Sequence, residues 1–240
     1  MADLPRSSAD GKRPQSDEGL RRQVAALQEE LGTRQREAQR RLRNMLAMIR
    51  SIIRRTGEDA TSLEDYHLRL EGRIAAFTRV QAILLSDQNI GIALFSLVAD
   101  ERLLAALDDC AIEVRGEDMA LSPAAANLLV LLIHELVQRL PASEQTAFPL
   151  AILHAAFADD DARDTVIIDW TERVVASPAP SPSPAWLDDA LVYELNARIE
   201  PIHDSNWAGS RYRIPAHMLL SNAGFLERFP GAESGPSARN

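Results

Sequence analysis

The feature that most constrains this chain is a set of apolar rows near its start. Val24, Leu31, Ala38, Met45 and Ile52 recur every seven residues. Leu20 and Leu27 begin a second row, which Leu42, Ile49 and Thr56 continue after a one-position shift. Side chains at this spacing form one stripe along a helix, and such a stripe has to be buried against other helices. The pattern predicts a helix that ends at Thr56-Gly57, because glycine tolerates a left-handed C-cap. Ser62 then reads as an N-cap with Asp65 in the first turn, opening a second helix from Leu63 to about Leu85. Its apolar contributors are Leu70, Ile74, Phe77, Ile83 and Leu84. Two long helices joined by a turn make a hairpin with a wide apolar face. A four-helix-bundle homodimer is the simplest way to cover it.

The same first helix is where the positive charge collects. Between Arg21 and Arg55 basic residues outnumber acidic ones by ten to three, although the formal net charge of the 240 residues is −9. The acidic remainder includes Asp108-Asp109 and Asp159-Asp160-Asp161. Arg34, Arg36, Arg40, Arg41, Arg43, Arg50, Arg54 and Arg55 offer a possible nucleic-acid footprint. That segment has no aromatic residues to stack on bases, and the acidic remainder repels phosphates. A solvated face, or a docking face for an acidic protein partner, is the better reading. The single cysteine, Cys110, excludes an intramolecular disulfide framework and any CxxC metal knuckle. No pair of histidines has a metal-binding spacing, so no metal is expected. No apolar run approaches the ~20 residues that span a bilayer, and the first eighteen residues lack the apolar core of a secretion signal. A cytoplasmic protein with no membrane partner is expected.

Beyond Gly91 helices and strands interleave. Helices are predicted from about Ile92 to Leu107, from Pro123 (capped by Ser122) to about Arg139, and from Trp186 to Asn196. Strands are predicted at Ala111–Arg115, Met119–Leu121, Leu150–Ala158, Thr165–Trp170, Ile199–His203 and Arg211–Ile214. This order suggests an α+β layer, a mixed sheet covered by helices on one face. The predicted organisation is a disordered leader (1–18), a helical-hairpin dimerisation domain (19–88), an α+β domain (89–220) and a loose tail (221–240). The run Ala176–Pro184, ASPAPSPSP, reads as an extended linker inside the third of these. The short leader leaves no room for a sensor domain, so any input is expected to arrive through a partner.

Taken together, these segments resemble the HWE group of bacterial sensor histidine kinases with the subgroup-2 type of dimerisation and phosphoacceptor hairpin. Arg40-Arg41-Leu42-Arg43-Asn44-Met45-Leu46-Ala47, followed by Ser51-Ile52, resembles the phosphoacceptor helix. Ser62 to Asp65, then Glu71-Gly72-Arg73, Ala76 and Arg79, resemble the second helix. Leu121-Ser122-Pro123 with His134-Glu135-Leu136 resembles the helix that carries the N-box, and Trp170-Thr171-Glu172 matches the WxE element. The resemblance covers about residues 36 to 215 and is densest from 40 to 136. It implies a degenerate ATPase-like α/β sandwich after the hairpin, hence an α+β fold class.

The departures from the family pattern bear directly on chemistry. The phosphoacceptor histidine falls at Arg40, and a guanidinium stays protonated and is a very poor nucleophile. The N-box asparagine, implied to help hold Mg²⁺ and phosphates, falls at Arg139, which cannot ligate a cation. The glycine-bearing boxes are missing, since no glycine occurs between Gly116 and Gly209. The resemblance therefore implies a pseudokinase with no intact catalytic residue and no cofactor, in which His134 and Glu135 are vestigial. Arg139, Trp170 and Glu172 would be remnants of a nucleotide site. Its implied partners are a second copy, and a response-regulator receiver domain or partner histidine kinase docked on Arg40, Arg41 and Arg43, with Arg40 facing the receiver's acidic pocket. The alternative is an ATP- and Mg-dependent kinase or phosphotransferase that uses another acceptor. His67 is the candidate, although it lacks the flanking pattern, while His154, His203 and His217 fall on strand-like or terminal segments.

Overall fold

A computed structural model of the chain describes residues 14–86, 91–141, 148–158, 164–174 and 184–229. The leader up to residue 13, the Asp159–Asp161 cluster, the linker apart from Pro184, and the tail from Pro230 lie outside them. The chain divides into two compact units, Met1–Arg54 and Arg55–Asn240.

The first unit is most of helix α1 (Pro14–Asp59), which begins inside the stretch read as a leader. Leu20, Val24, Leu27, Leu31, Leu42 and Leu46 are all exposed. At about 3.6 residues per turn they share one side of the helix; Arg36 and Arg40 lie on the opposite side, and Arg43 and Arg50 lie between, each within a turn of Leu46. Those arginines are also exposed. Arg34 pairs with Glu30 at 2.7 Å, whereas Arg40, Arg41, Arg43 and Arg50 make no ion pair among the described residues.

The second unit starts with the last turn of α1. The predicted end at Thr56-Gly57 is three residues too early, because Gly57 is helical and Ala60 N–H donates to the Thr56 carbonyl at 3.0 Å. Side-chain bonds from Arg73 to Thr56 and Asp59 hold this extra turn. Helix α2 (Leu63–Ser86) opens as predicted, with Asp65 N–H donating to Ser62 Oγ at 3.0 Å. Asp65 also accepts from Arg69 Nε at 2.6 Å and from Thr61 N–H at 2.9 Å, and these bonds, Arg69's first, lower its pKa below the usual value of 3.8. The apolar side of α2 is buried at Ala76, Phe77 and Val80, and the helix packs on α4 (Pro123–Gln138).

Ile92–Ala93 is not the start of a helix but a short strand, β1, paired antiparallel with β3 (Ala120–Leu121). Helix α3 (Leu94–Leu104) follows, and Leu94 N–H donates to Met119 O at 3.0 Å. The main sheet comprises β2 (Ile112–Gly116), β4 (Ala151–Phe157), β5 (Thr165–Arg173), β6 (Arg198–His203) and β7 (Trp207–Pro215). Its strand order is β2-β4-β5-β7-β6, with β2 parallel to β4 and the other pairs antiparallel. One face alternates into the core through Leu153, Val166, Ile168, Trp170, Tyr212 and Ile214. On the other, Asp169 takes both arms of Arg211 at 2.8 Å, and this bond raises the arginine's pKa. Helix α4 is buried on nearly every side, capped by Ser122 with Pro123 at its first position, and α5 (Ala185–Leu195) adds Leu187, Leu191 and Leu195 to the core. Strand β7 begins four residues earlier than predicted, where Gly209 lets it pass β5: a Cβ there would lie 1.9 Å from the Trp170 carbonyl oxygen. Short helices α6 (Ala216–Leu219) and α7 (Asn222–Arg228) follow, the second within the stretch read as tail. No helix among the described residues is long and apolar enough to cross a membrane.

Candidate functional site

Helix α4 carries three of the expected site residues, and each is engaged by a neighbour. Its periodicity turns leucines on several sides into the core, so polar residues on it need internal partners. His134 Nδ1 lies 2.8 Å from Glu101 Oε2, and a carboxylate only accepts, so Nδ1 carries the proton. Glu101 on α3 is 1% exposed and is also bonded by Arg79 from α2. The other edge of the imidazole abuts α2 at Gly72, where a Cβ would come within 2.7 Å of His134 Nε2. His134 is thus wedged between α2 and α3. Glycine at position 72 is what allows the approach.

Glu135 accepts from Arg73 Nε at 2.6 Å. Arg73 has no exposed surface, and its other arms reach Thr56 Oγ1 at 2.9 Å and Asp59 Oδ2 at 3.4 Å. The plane of its guanidinium lies over Trp186 of α5, 5.4 Å from the ring centre. Four elements, the end of α1, α2, α4 and α5, therefore converge on one cation. Glu135 serves as its counter-charge.

Arg139, at the C-cap of α4, extends Nη2 to Glu172 Oε1 at 3.4 Å. The same oxygen accepts from Trp170 Nε1 at 2.9 Å. Trp170 and Glu172 are two residues apart on β5, so both point to the buried face, and the WxE element closes on itself. The structure thus brings Arg139, Trp170 and Glu172 together, with both other side chains bonded to Glu172. Arg40, Arg41 and Arg43 are all exposed on α1, on different sides of the helix.

The remaining histidines do not join these clusters. His67 is exposed on α2 and meets only the edge of Tyr66 among ring contacts, at 6.1 Å, while His203 and His217 are exposed and His154 is half-buried on β4. Among the described residues no group of three metal-ligating side chains forms. The roles of Arg73, Glu101 and Trp186 were not visible in the sequence. The Glu71-Gly72-Arg73 match was the one signal that pointed to part of this network.

Comparison with known proteins agrees with the motif reading. The model of the HWE histidine kinase family matches residues 37–118. No curated protein matches significantly. Among solved structures, the histidine kinase domain of a blue-light activated histidine kinase from Erythrobacter litoralis aligns at 12% identity and a TM-score of 0.43, covering 71% of this chain and 96% of that one. A longer chain of the same kinase aligns at 16% identity and 0.46, covering 89% of this chain but 63% of its own length. The histidine kinase domain of the E. coli osmosensor EnvZ aligns at 8% identity and 0.31, covering 62% and 94%. Residues 37–118, from the arginine-rich half of α1 through α2, α3 and β2, are similar to the HWE histidine kinase family.

Proposed function

We propose that the protein is a two-component signalling pseudokinase: it dimerises and docks a response-regulator receiver domain or a partner kinase without transferring phosphate itself. The observation that carries this reading is the engagement of the site residues by other groups of the protein. Glu135 is the counter-ion of a buried arginine, and Glu172 holds Trp170 and Arg139. A general base or a metal ligand has to offer its lone pairs to a substrate or an ion, and in both carboxylates Oε1 is already engaged by the protein. Arg40 adds a cation where the family's nucleophile would stand. The docking half of the proposal rests on Arg40, Arg43 and Arg50, exposed on α1 and without an ion pair among the described residues. An acidic receiver pocket complements these charges, and the attraction chiefly raises the association rate and is screened by salt.

A titration of the full chain with purified receiver domains tests this. Arg40→Glu with Arg43→Glu is expected to weaken binding at least tenfold, with wild-type binding falling as salt rises. Random-sequence DNA should bind weakly at physiological salt. If the two changes abolish DNA binding and leave receiver binding untouched, the signalling reading fails and nucleic-acid binding replaces it.

A further inference from the structure

The two edges of the main sheet are built differently. Edge strand β6 carries Pro201, which cannot donate to a ladder and blunts that edge against a further strand. Edge strand β2 carries no proline. It runs parallel to β4, with Glu113 in register with Ile152 and Arg115 with His154. The Ala151 N–H donates to the Ala111 carbonyl at 3.1 Å, and the Glu117 N–H to the Ala155 carbonyl at 2.8 Å. In such a ladder every second residue bonds the neighbouring strand. Residues 111, 113, 115 and 117 therefore turn their backbone groups to β4, and Ile112 and Val114 turn theirs to the open edge. Among the described residues these outward groups have no hydrogen-bond partner.

The side chains along this edge complement themselves. Glu113 and Arg115 lie on the outer face of the sheet, 42% and 53% exposed, and Arg115 binds Glu113 through two bonds at 2.7 and 2.8 Å. Between them Val114, in register with Leu153 of the core, is only half-buried. A copy of β2 laid antiparallel about a two-fold axis through Val114 puts that residue opposite itself. Glu113 then faces the partner's Arg115, and Arg115 faces the partner's Glu113. The same alignment makes position 114 a hydrogen-bonded pair, so the free backbone groups and the order of charges require one register. Acid, apolar, base read in one direction is matched by the same three read in the other, which is the order a second copy brings.

We infer that β2 is a self-pairing edge: a second copy of this chain adds its own β2 antiparallel, joining two five-stranded sheets through Val114. The contact lies within the second unit and does not rest on the proposal above. The edge is short beside the roughly 1,200–2,000 Å² that a standard stable interface buries, so the pairing is weak and calls for a covalent trap. Two full-length variants supply it, both with Cys110→Ser: one adds Glu113→Cys, the other Arg115→Cys. Positions 113 and 115 of opposite strands form a non-hydrogen-bonded pair with Cα atoms about 4.5 Å apart, within disulfide range, whereas like positions are diagonal at about 7–8 Å. On oxidation with diamide the equimolar mixture should give at least tenfold more covalent dimer than either variant alone. Adding Val114→Pro to both chains should abolish the crosslink and leave the circular dichroism spectrum unchanged, because that N–H has no partner in β4. Absence of the crosslink from the mixture, equal yield in either variant alone, or survival with Val114→Pro overturns the pairing. A Val114→Pro chain that fails to fold contradicts the outward phase of that N–H and overturns it too. In each case the receiver titration above still decides the proposed function.

Discussion

A guanidinium removed from water must have its charge balanced and its donors bonded, or its burial is prohibitive. Arg73 meets that demand with Glu135, Thr56, Asp59 and the face of Trp186. Removing it leaves Glu135, whose side chain is 14% exposed, without its counter-charge. Breaking a buried pair from one side costs about 3–5 kcal/mol. Arg73→Met is therefore expected to lower the urea midpoint by an equivalent of about 3 kcal/mol with an unchanged slope. Adding Glu135→Leu should recover most of the loss, since the orphaned charge then disappears. If the single and double variants are equally destabilised, the pair is not what holds α2. None of this was legible locally. The partners Arg73 and Glu135 are 62 positions apart, and nothing in either neighbourhood announces the other. His134, Glu135, Trp170 and Glu172 could be picked out because motifs mark them. Their bonding partners could not, because these depend on which side of α4 and β5 each one faces.

At the level of elements, what the sequence revealed follows how local the determinants are. Ser122-Pro123 fixes the start of α4, and Ser62 with Asp65 fixes the start of α2, through contacts within four residues. The alternation of β5 reads directly from Val166, Ile168 and Trp170. Gly57 misled, because the turn it occupies is held by Arg73 from another helix, and the early part of β7 was missed because Gly209 and Ser210 lack strand character. The local start of α2 carries a pH dependence of its own. Asp65 has a lowered pKa, chiefly through Arg69 and then the Thr61 amide. Its support is therefore full above the ordinary carboxylate value of 3.8 and is lost as pH falls through the lower folded value. Amide protection factors (rates relative to the intrinsic exchange rate at each pH) around Thr61–Arg69 should hold down to about that pH and fall below it. Asp65→Asn should show low protection at pH 7 and little further change with acid. Wild-type protection factors that stay constant through that fall would contradict the cap.

For the whole molecule, the two units carry different parts of the account. The second is a packed α/β body in which Glu135 and Glu172 bond to neighbouring protein groups, and the first presents exposed apolar residues and exposed arginines on one helix. A histidine restored at position 40 would supply a nucleophile but neither a free Glu135 nor a metal-binding residue at 139, so Arg40→His alone should remain unphosphorylated. The most direct measurement is incubation of the purified wild-type chain with radiolabelled Mg-ATP, followed by acid and base treatment of the washed protein. The predicted result is no stable incorporation above background. Acid-labile, base-stable label on a histidine, at His67 or any other, would contradict the pseudokinase account.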